Sequence, residues 1–437
     1  MGQGLMSAMS KYDVLVVGAG VLGLSTAYHI KRENPERSIL VLDKLGGPGQ
    51  GNSAKSVGAF RNVFSSRTNF LLADSTIDFF THVQEDLGHD LGLVFHGYLW
   101  LLSGRQYRRQ EENFKEMSRR GVELRTWERE DLRRMIPDLV TEFEEGDEEA
   151  EVMGLEPVER GLQGVKCGSI DADRLVRFYE EEFRRLGGEV RYNVEVKRLI
   201  LKPERELGLP GEPFVWQDAS VKGVETVRGE EIYADRVVVA VGAWANTLLN
   251  PIGLDAFMRP KKRQVFVFKD ERLERLFHSE GFNKEGVVPL LILPKAGILI
   301  KPEVSEGALW IECADNLGRP FKLEDDPQPE LTYYTGNLYH VVVKYLPCFR
   351  DVQPVNMWAG QYALNSIDKT PYVFEEAGMI YVGAGSGSGL MKCDALGRIA
   401  AALYAGEKEA TLYGGRAFRV SDLSVKERRV ERETFVL

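Results

Sequence analysis

The chain has 437 residues, 43% hydrophobic and 28% charged, which is the balance of a water-soluble globular protein long enough for two domains. Its net charge of −10 argues against nucleic acid as the main partner, and no run reaches the roughly 20 apolar residues of a membrane helix. Four scattered cysteines (Cys167, Cys313, Cys348, Cys393) form no CxxC pair, and the six histidines show no metal spacing; both argue against a metal site or a redox dithiol. Residues 1–10 lack a signal-peptide pattern, so the expected location is cytoplasmic, with peripheral membrane attachment left open. Glu- and Arg-rich helices are a compositional trait of thermophile proteins.

The first informative element is Tyr12 to Asp43. An apolar run, Asp13 to Val17, ends in Gly18-x-Gly20-x-x-Gly23; a helical segment runs from Leu24 to Arg32; a second apolar run, Ser38 to Leu42, ends in Asp43. Strand, glycine turn, helix, strand and acid in this order suit a dinucleotide. Gly18 makes the tight turn, Gly20 admits a pyrophosphate to the backbone, and Gly23 lets helix and strand pack closely. The helix start offers N–H groups and positive dipole to phosphate, and Asp43 can accept from ribose hydroxyls.

A Gly-rich loop, Gly46 to Phe60, comes next, then a charged helical region over about 70–135 and an acidic loop from Glu142 to Glu151. Strands return near Leu155 to Val165. Asp171 or Asp173 caps a helix with apolar positions Leu175, Tyr179, Phe183 and Leu186, stopped by Gly187-Gly188 before the strand Glu189 to Val194. Ala234 to Trp244 reads as a buried strand ending in Gly242. Residues 260–355 alternate as antiparallel strands. Met379 to Gly406 repeats the strand–glycine–helix grammar. The last stretch, Val425 to Leu437, is charged and then apolar: a solvated tail by default, with a plug made by Thr434-Phe-Val-Leu437 as the alternative.

These segments, in this order, resemble the flavin-dependent amine oxidoreductases of the D-amino-acid oxidase, sarcosine oxidase and glycine oxidase group. The resemblance rests on the Gly18 turn with Asp43-Lys44; the loop Asn52 to Arg61; Gly168-Ser-Ile-Asp with Val194-Glu-Val196; Ala234 to Trp244 with Pro260-x-x-Arg263-Gln264; and Gly383-x-Gly385-Ser-Gly387-Ser-Gly389. It implies an α/β fold: a Rossmann-like FAD-binding domain (11–80, 160–258, 355–415), an interleaved α+β substrate domain on an antiparallel sheet (81–159, 259–354), and a tail (416–437). It also implies FAD as cofactor. Gly18, Gly20, Val21 and Leu22 would hold its pyrophosphate, with Gly23 closing the turn; Asp43 its adenosine ribose, with Lys44 and the Val196 backbone at the adenine. Asn52, Ser53, Lys55, Ser56, Gly58, Ala59 and Phe60 would follow the ribityl chain and ring. Gly242 and Trp244 would close the pyrophosphate side, and Gly385, Gly387, Gly389, Leu390, Met391 and Lys392 would meet the pyrimidine end.

The same resemblance implies hydride transfer from a substrate α-carbon to flavin N5, with a cation clamping the substrate carboxylate. Arg61 and Lys392 are the clamp candidates, Tyr362 faces the flavin, Met391 lines the substrate wall, and Arg67 and Gln264 are further candidates. Sarcosine oxidases attach flavin through a cysteine near the position of Gly360, so FAD is expected to be non-covalent here. They also place an oxygen-activating lysine where this chain is expected to have Trp310. The reading is therefore an FAD-dependent dehydrogenase for a small amino or imino acid, L-proline by preference, passing electrons to a dye or quinone; a homodimer is left open. The alternatives are a 2-hydroxyacid dehydrogenase, an oxygen-using amino acid oxidase, and a flavin-holding subunit without activity of its own.

Overall fold

A computed structural model describes residues 11–295, 297–314 and 318–435. Val14 to Val17 sit at the centre of the first sheet because neighbours and covering layers exclude water from both their faces, which selects a continuous apolar run. The strand order is Tyr372–Glu376, Met379–Gly383, Glu231–Val239, Lys11–Val17, Ile39–Leu42, Glu189–Arg191. All neighbours from Met379–Gly383 to Glu189–Arg191 are parallel. Val196–Pro203 and Ala219–Thr226 extend antiparallel from Glu231–Val239.

Alternation splits this sheet's side chains between two apolar layers. Val14, Val16, Ile39 and Val41 face the helices Val21–Glu33, Arg67–Glu85, Ala172–Arg185 and Cys393–Tyr404. Leu15, Val17, Leu40 and Leu42 face Leu199, Val221 and Leu248 on the other side. Among the helices, His29 Nε2 and Asp394 Oδ1 lie 2.7 Å apart, both wholly buried, and Arg398 donates to Asp394 Oδ2 at 2.6 Å. The fourth cysteine, Cys393, is buried beside them.

The second sheet runs Asn356–Asn365, Met258–Phe268, Ala308–Cys313, Ile298–Glu303, Leu290–Ile292, Tyr98–Leu102, Arg160–Gly164, Leu124–Glu128. Its pairings are antiparallel except Leu290–Ile292 with Tyr98–Leu102. Two of its strands lie inside segments that the sequence reading assigned to the nucleotide domain. Asn356–Asn365 pairs with Met258–Phe268 from Met258↔Asn365 to Val267↔Asn356, and Arg160–Gly164 pairs with Tyr98–Leu102. Cross-strand register decides which sheet a strand joins.

Local structure differs from the sequence reading in two further places. The 70–135 region is interrupted by the strands Tyr98–Leu102 and Leu124–Glu128. The acidic stretch holds a short helix, Glu148–Met153, capped by Asp147, whose carboxylate also takes Lys344 at 2.7 Å.

Candidate active site

A cavity of about 1280 Å³ is lined from both sheets. Its first end is built at the carboxyl ends of Lys11–Val17 and Ile39–Leu42, where open α/β sheets bind ligands. Gly18 turns the chain at φ +106°, in a region that side chains avoid, and a Cβ there would stand 2.5 Å from Ala240 O. Gly23 does not line the cavity; a Cβ on it would fall 1.9 Å from Gly18 O, so it is the close-packing glycine. Gly20, Val21 and Leu22 line the cavity at the start of a 13-residue helix that has no side-chain cap and no acid in its first turn. Ser53 Oγ accepts from Val21 N–H at 3.1 Å, so the next loop is tied to that helix end.

Asp43 also lines this end. It accepts from Ala19 N–H at 2.7 Å and Leu45 N–H at 2.8 Å, which leaves lone pairs for further donors. Burial pushes its carboxyl up, and the two N–H donors oppose that. Lys44 lies 4.4 Å over the Trp244 ring, and both donate to Asp325 at the rim, Lys44 at 3.2 Å and Trp244 at 2.9 Å. Val196 and Gly242 complete this end, and Asn52, Ser53, Lys55 and Ser56 carry the wall toward the other. An uncapped helix start, an acceptor acid and a long cleft match the donors and acceptors of a dinucleotide, so these residues fit FAD. None of the four cysteines lines the cavity, and at Gly360 a Cβ would lie 2.9 Å from Lys55 Cβ.

The other end is lined by Tyr98, Trp100, Arg263, Val265, Leu299, Glu312 and Tyr362 of the second sheet, with Arg61, Phe64, Asn69 and Lys392 facing them. Arg61 and Lys392 converge on one ring: the guanidinium lies 4.0 Å from the Phe64 centroid and the ammonium 4.7 Å. Arg61 donates to Val63 O. Lys392 donates to Asn69 Oδ1 at 2.8 Å and Ser388 Oγ at 2.6 Å. Burial, and then the nearby Arg61 charge, bring the Lys392 ammonium down to about 7, against the pull of Glu433. Tyr362 donates to Glu312 Oε1 at 2.7 Å, while Met391, Gly387, Gly389 and Leu390 form the adjoining wall.

The segment Val430 to Phe435 closes the same end and corrects the expectation of a solvated tail. Glu433 accepts from Ser65 N–H and Oγ at 2.9 and 2.6 Å; Phe435 is buried, 5.1 Å from Trp100 and 5.4 Å from Phe114. The rest of the expected plug, Val436 and Leu437, lies outside the described residues. The first part of the tail, Arg416–Arg419, is a strand of a hairpin with Glu409–Leu412.

Several expected site residues stand elsewhere. Phe60 is wholly buried against Phe95 at 5.3 Å, because alternation in Ala59–Arg61 sends Ala59 and Arg61 to the cavity and Phe60 behind it. Gly58 and Gly385 shape turns outside the lining. Arg67 is exposed; Asn69, two residues on, faces the cavity instead. Gln264 lies between the cavity residues Arg263 and Val265 and points to the other face, where it bonds Glu330.

Trp310 does not line the cavity either. Its register partner is Lys301, which is buried, lies 4.1 Å from the Trp310 ring, and donates to Val57 O at 2.6 Å. A late-strand lysine therefore does stand beside the Ser53–Ala59 loop, one strand away from the position expected. Phe64, Asn69, Tyr98, Trp100, Glu312 and Glu433 escaped the sequence reading. Only Glu312 left a signal there, as an acid in the otherwise apolar strand Ala308–Cys313.

Among the described residues no helix is long and apolar enough to cross a membrane, and no group of three His, Cys, Asp or Glu side chains could hold a metal. The chain is 23% identical to FAD-dependent oxidoreductase domain-containing protein 1 of Bos taurus, over 89% of this chain and 80% of that protein. Its fold is similar to a crystal structure of L-proline dehydrogenase from P. horikoshii (TM-score 0.71, 20% identity, 91% of this chain and 95% of that one). It is also similar to glycine oxidase from Geobacillus kaustophilus (TM-score 0.70, 18% identity, 96% and 99%). The family described as DAO, FAD dependent oxidoreductase, matches residues 13–403, and the chain belongs to that family.

Proposed function

We propose that this FAD-dependent oxidoreductase oxidises a small α-amino or imino acid, with L-proline as the first candidate and a dye or quinone as acceptor. The observation that carries the reading is the convergence of Arg61 and Lys392 on Phe64 in the cavity wall. Two partly desolvated cations beside one aromatic ring repel each other, and an anion between them relieves that cost. A carboxylate meets both requirements. The apolar and aromatic neighbours Trp100, Val265, Leu299 and Met391 suit a small carbon skeleton. The similarity to L-proline dehydrogenase favours proline as the candidate.

In this reading Gly18, Gly20, Val21 and Leu22 line the pyrophosphate, Asp43 takes the ribose, Lys44 and Val196 flank the adenine, and Gly242 and Trp244 close that side. Asn52, Ser53, Lys55, Ser56 and Ala59, with Gly387 to Lys392, border the ribityl chain and flavin ring. FAD, when bound, supplies the two-electron acceptor for a hydride leaving the substrate α-carbon. Arg61 and Lys392 fix the carboxylate, and the segment Val430 to Phe435 keeps water out. Lys301 favours a second reading for the acceptor, in which oxygen serves directly, since the family resemblance assigns oxygen activation to such a lysine.

The test is anaerobic addition of single amino and hydroxy acids to the purified flavoprotein, followed by absorbance. Bleaching by L-proline with slow recovery in air and fast recovery with a dye supports the first reading. Fast recovery in air makes the protein an oxidase, and bleaching by lactate but no amine overturns the amino acid reading.

A further inference from the structure

The substrate end of the cavity is lined by two cations that meet on Phe64, Arg61 and Lys392, and by a buried carboxylate, Glu312, with Arg263 on the neighbouring strand. Arg61 ends the short strand Ala59–Arg61, which pairs with Cys167–Ser169, and Lys392 stands just before the helix Cys393–Tyr404. Glu312 stands in Ala308–Cys313 of the second sheet, where Val265 and Leu299 are its register partners and line the cavity with it. Glu312 is 4% exposed, and its carboxylate accepts from the Tyr362 hydroxyl at 2.7 Å. Among the described residues no cation lies within ion-pair distance of it; Arg263 packs instead 5.0 Å from the Tyr362 ring. Tyr98, of the second sheet, lines the same end within electrostatic reach of both Arg61 and Glu312.

A buried carboxyl with one phenol donor and no described cation in ion-pair contact is costly unless something else meets it. An open cavity in front of it provides the place. An α-amino acid carries its charges in the matching order, with carboxylate and ammonium one carbon apart. Oxidation at the α-carbon needs the amine uncharged, because the nitrogen lone pair must form the C=N bond as the hydride leaves. An ammonium ion has no such lone pair.

We propose that Glu312 receives the substrate ammonium and takes its proton before oxidation, so that the cavity selects acids bearing an amine over the same acids without one. One N–H bond of the ammonium breaks and one O–H bond forms on Glu312, which turns an ion pair into two neutral groups. In a water-poor cavity that exchange is favoured, because neither product has to be charged. Burial already pushes the Glu312 carboxyl up, and Tyr362 and Arg263 hold that rise in check. Tyr362 is a positioning residue: its hydroxyl fixes one Glu312 oxygen and leaves the other to the cavity.

The assignment rests on the amino acid reading above and can fail separately from it. The probes are α-methylproline, which has no α-hydrogen and cannot be oxidised by hydride loss, and the ring analogue with oxygen in place of the N–H. Binding of each to the flavin-loaded protein is measured by calorimetry in buffers of different ionisation heat. The wild type is expected to bind the amine at least about tenfold more tightly, a difference of about 1.4 kcal/mol. Glu312→Gln is expected to bring the two affinities together and to release a proton to buffer on binding the amine, with bound flavin unchanged. A Glu312→Gln protein that keeps the preference overturns this assignment and leaves the parent reading standing. A wild type that binds neither acid overturns both. Should Glu312→Gln lose flavin, Glu312→Leu, close in volume and unable to accept a proton, serves with the same expected outcomes.

Discussion

The two ends of the cavity are built by different means. At the end proposed for the nucleotide the lining groups are mostly backbone: the turn at Gly18, the uncapped helix start at Gly20, and an acid that closes the second strand. They lie within some thirty residues of one another in the chain. At the end proposed for the substrate they are side chains from six stretches, brought together from Arg61, Tyr98, Arg263, Glu312, Tyr362 and Lys392. A backbone site tolerates almost any side chain outside its glycines, whereas a side-chain site depends on each residue. Substitutions should therefore divide cleanly between lost cofactor and lost ligand selectivity.

The largest break is expected at Gly23. Gly23→Ala forces a Cβ into Gly18 O, a contact that no flexible side chain can relieve. The backbone shift should cost several kcal/mol, about the range of overpacking penalties or more. Purified protein should then carry almost no flavin, read as the ratio of flavin to protein absorbance. Full flavin content in this variant would show that the turn does not set cofactor binding.

Next comes Arg61→Ala. It should leave flavin content intact while weakening a carboxylate ligand about 100-fold, the roughly 3 kcal/mol expected for removing one member of a buried charge-assisted contact. Equal loss of flavin and ligand would erase the distinction between the two ends.

A third test uses pH. The Lys392 ammonium is held down to about 7, first by burial and then by Arg61. A bound carboxylate favours the charged form, so binding above that pH should take up a proton. Affinity should be constant below about pH 7 and fall by up to tenfold per pH unit above it. Calorimetry in two buffers measures the proton directly, and Lys392→Met should abolish the slope.

The smallest effects concern the closing segment and the surface. Phe435→Ala removes a ring packed on Trp100 and Phe114, and should expose residues 430–435 to protease and raise the ligand dissociation constant several-fold without flavin loss. Arg67→Ala should change ligand affinity by less than about twofold, since an exposed side chain away from the cavity is worth within ±0.5 kcal/mol.

Much of this division was legible in the sequence. Gly18, Gly20, Asp43, Ser53 and the run Gly387–Lys392 line the cavity, the first three as their spacing suggested and the others as the family resemblance implied, because turns and helix starts are written in consecutive residues. Arg61 and Lys392 were legible only as separate candidates, 331 positions apart by their numbers; that both meet Phe64 is tertiary. Gln264 and Phe60 were misread for a related reason: each adjoins true cavity residues, and in a strand adjacency means opposite faces.

The sequence by itself determined the turn at Gly18 and the helix start at Gly20, at the end of the cavity proposed for the dinucleotide, since glycine spacing dictates that backbone conformation locally. Only the tertiary structure decided the rest. Strand register set Lys301 against Trp310, turned Glu312 toward the cavity beside Tyr362, and moved Arg160–Gly164 and Asn356–Asn365 into the second sheet. Long-range packing laid Val430 to Phe435 across the substrate end. Register and packing depend on which distant segments exclude water from each other, and no local stretch of chain carries that information.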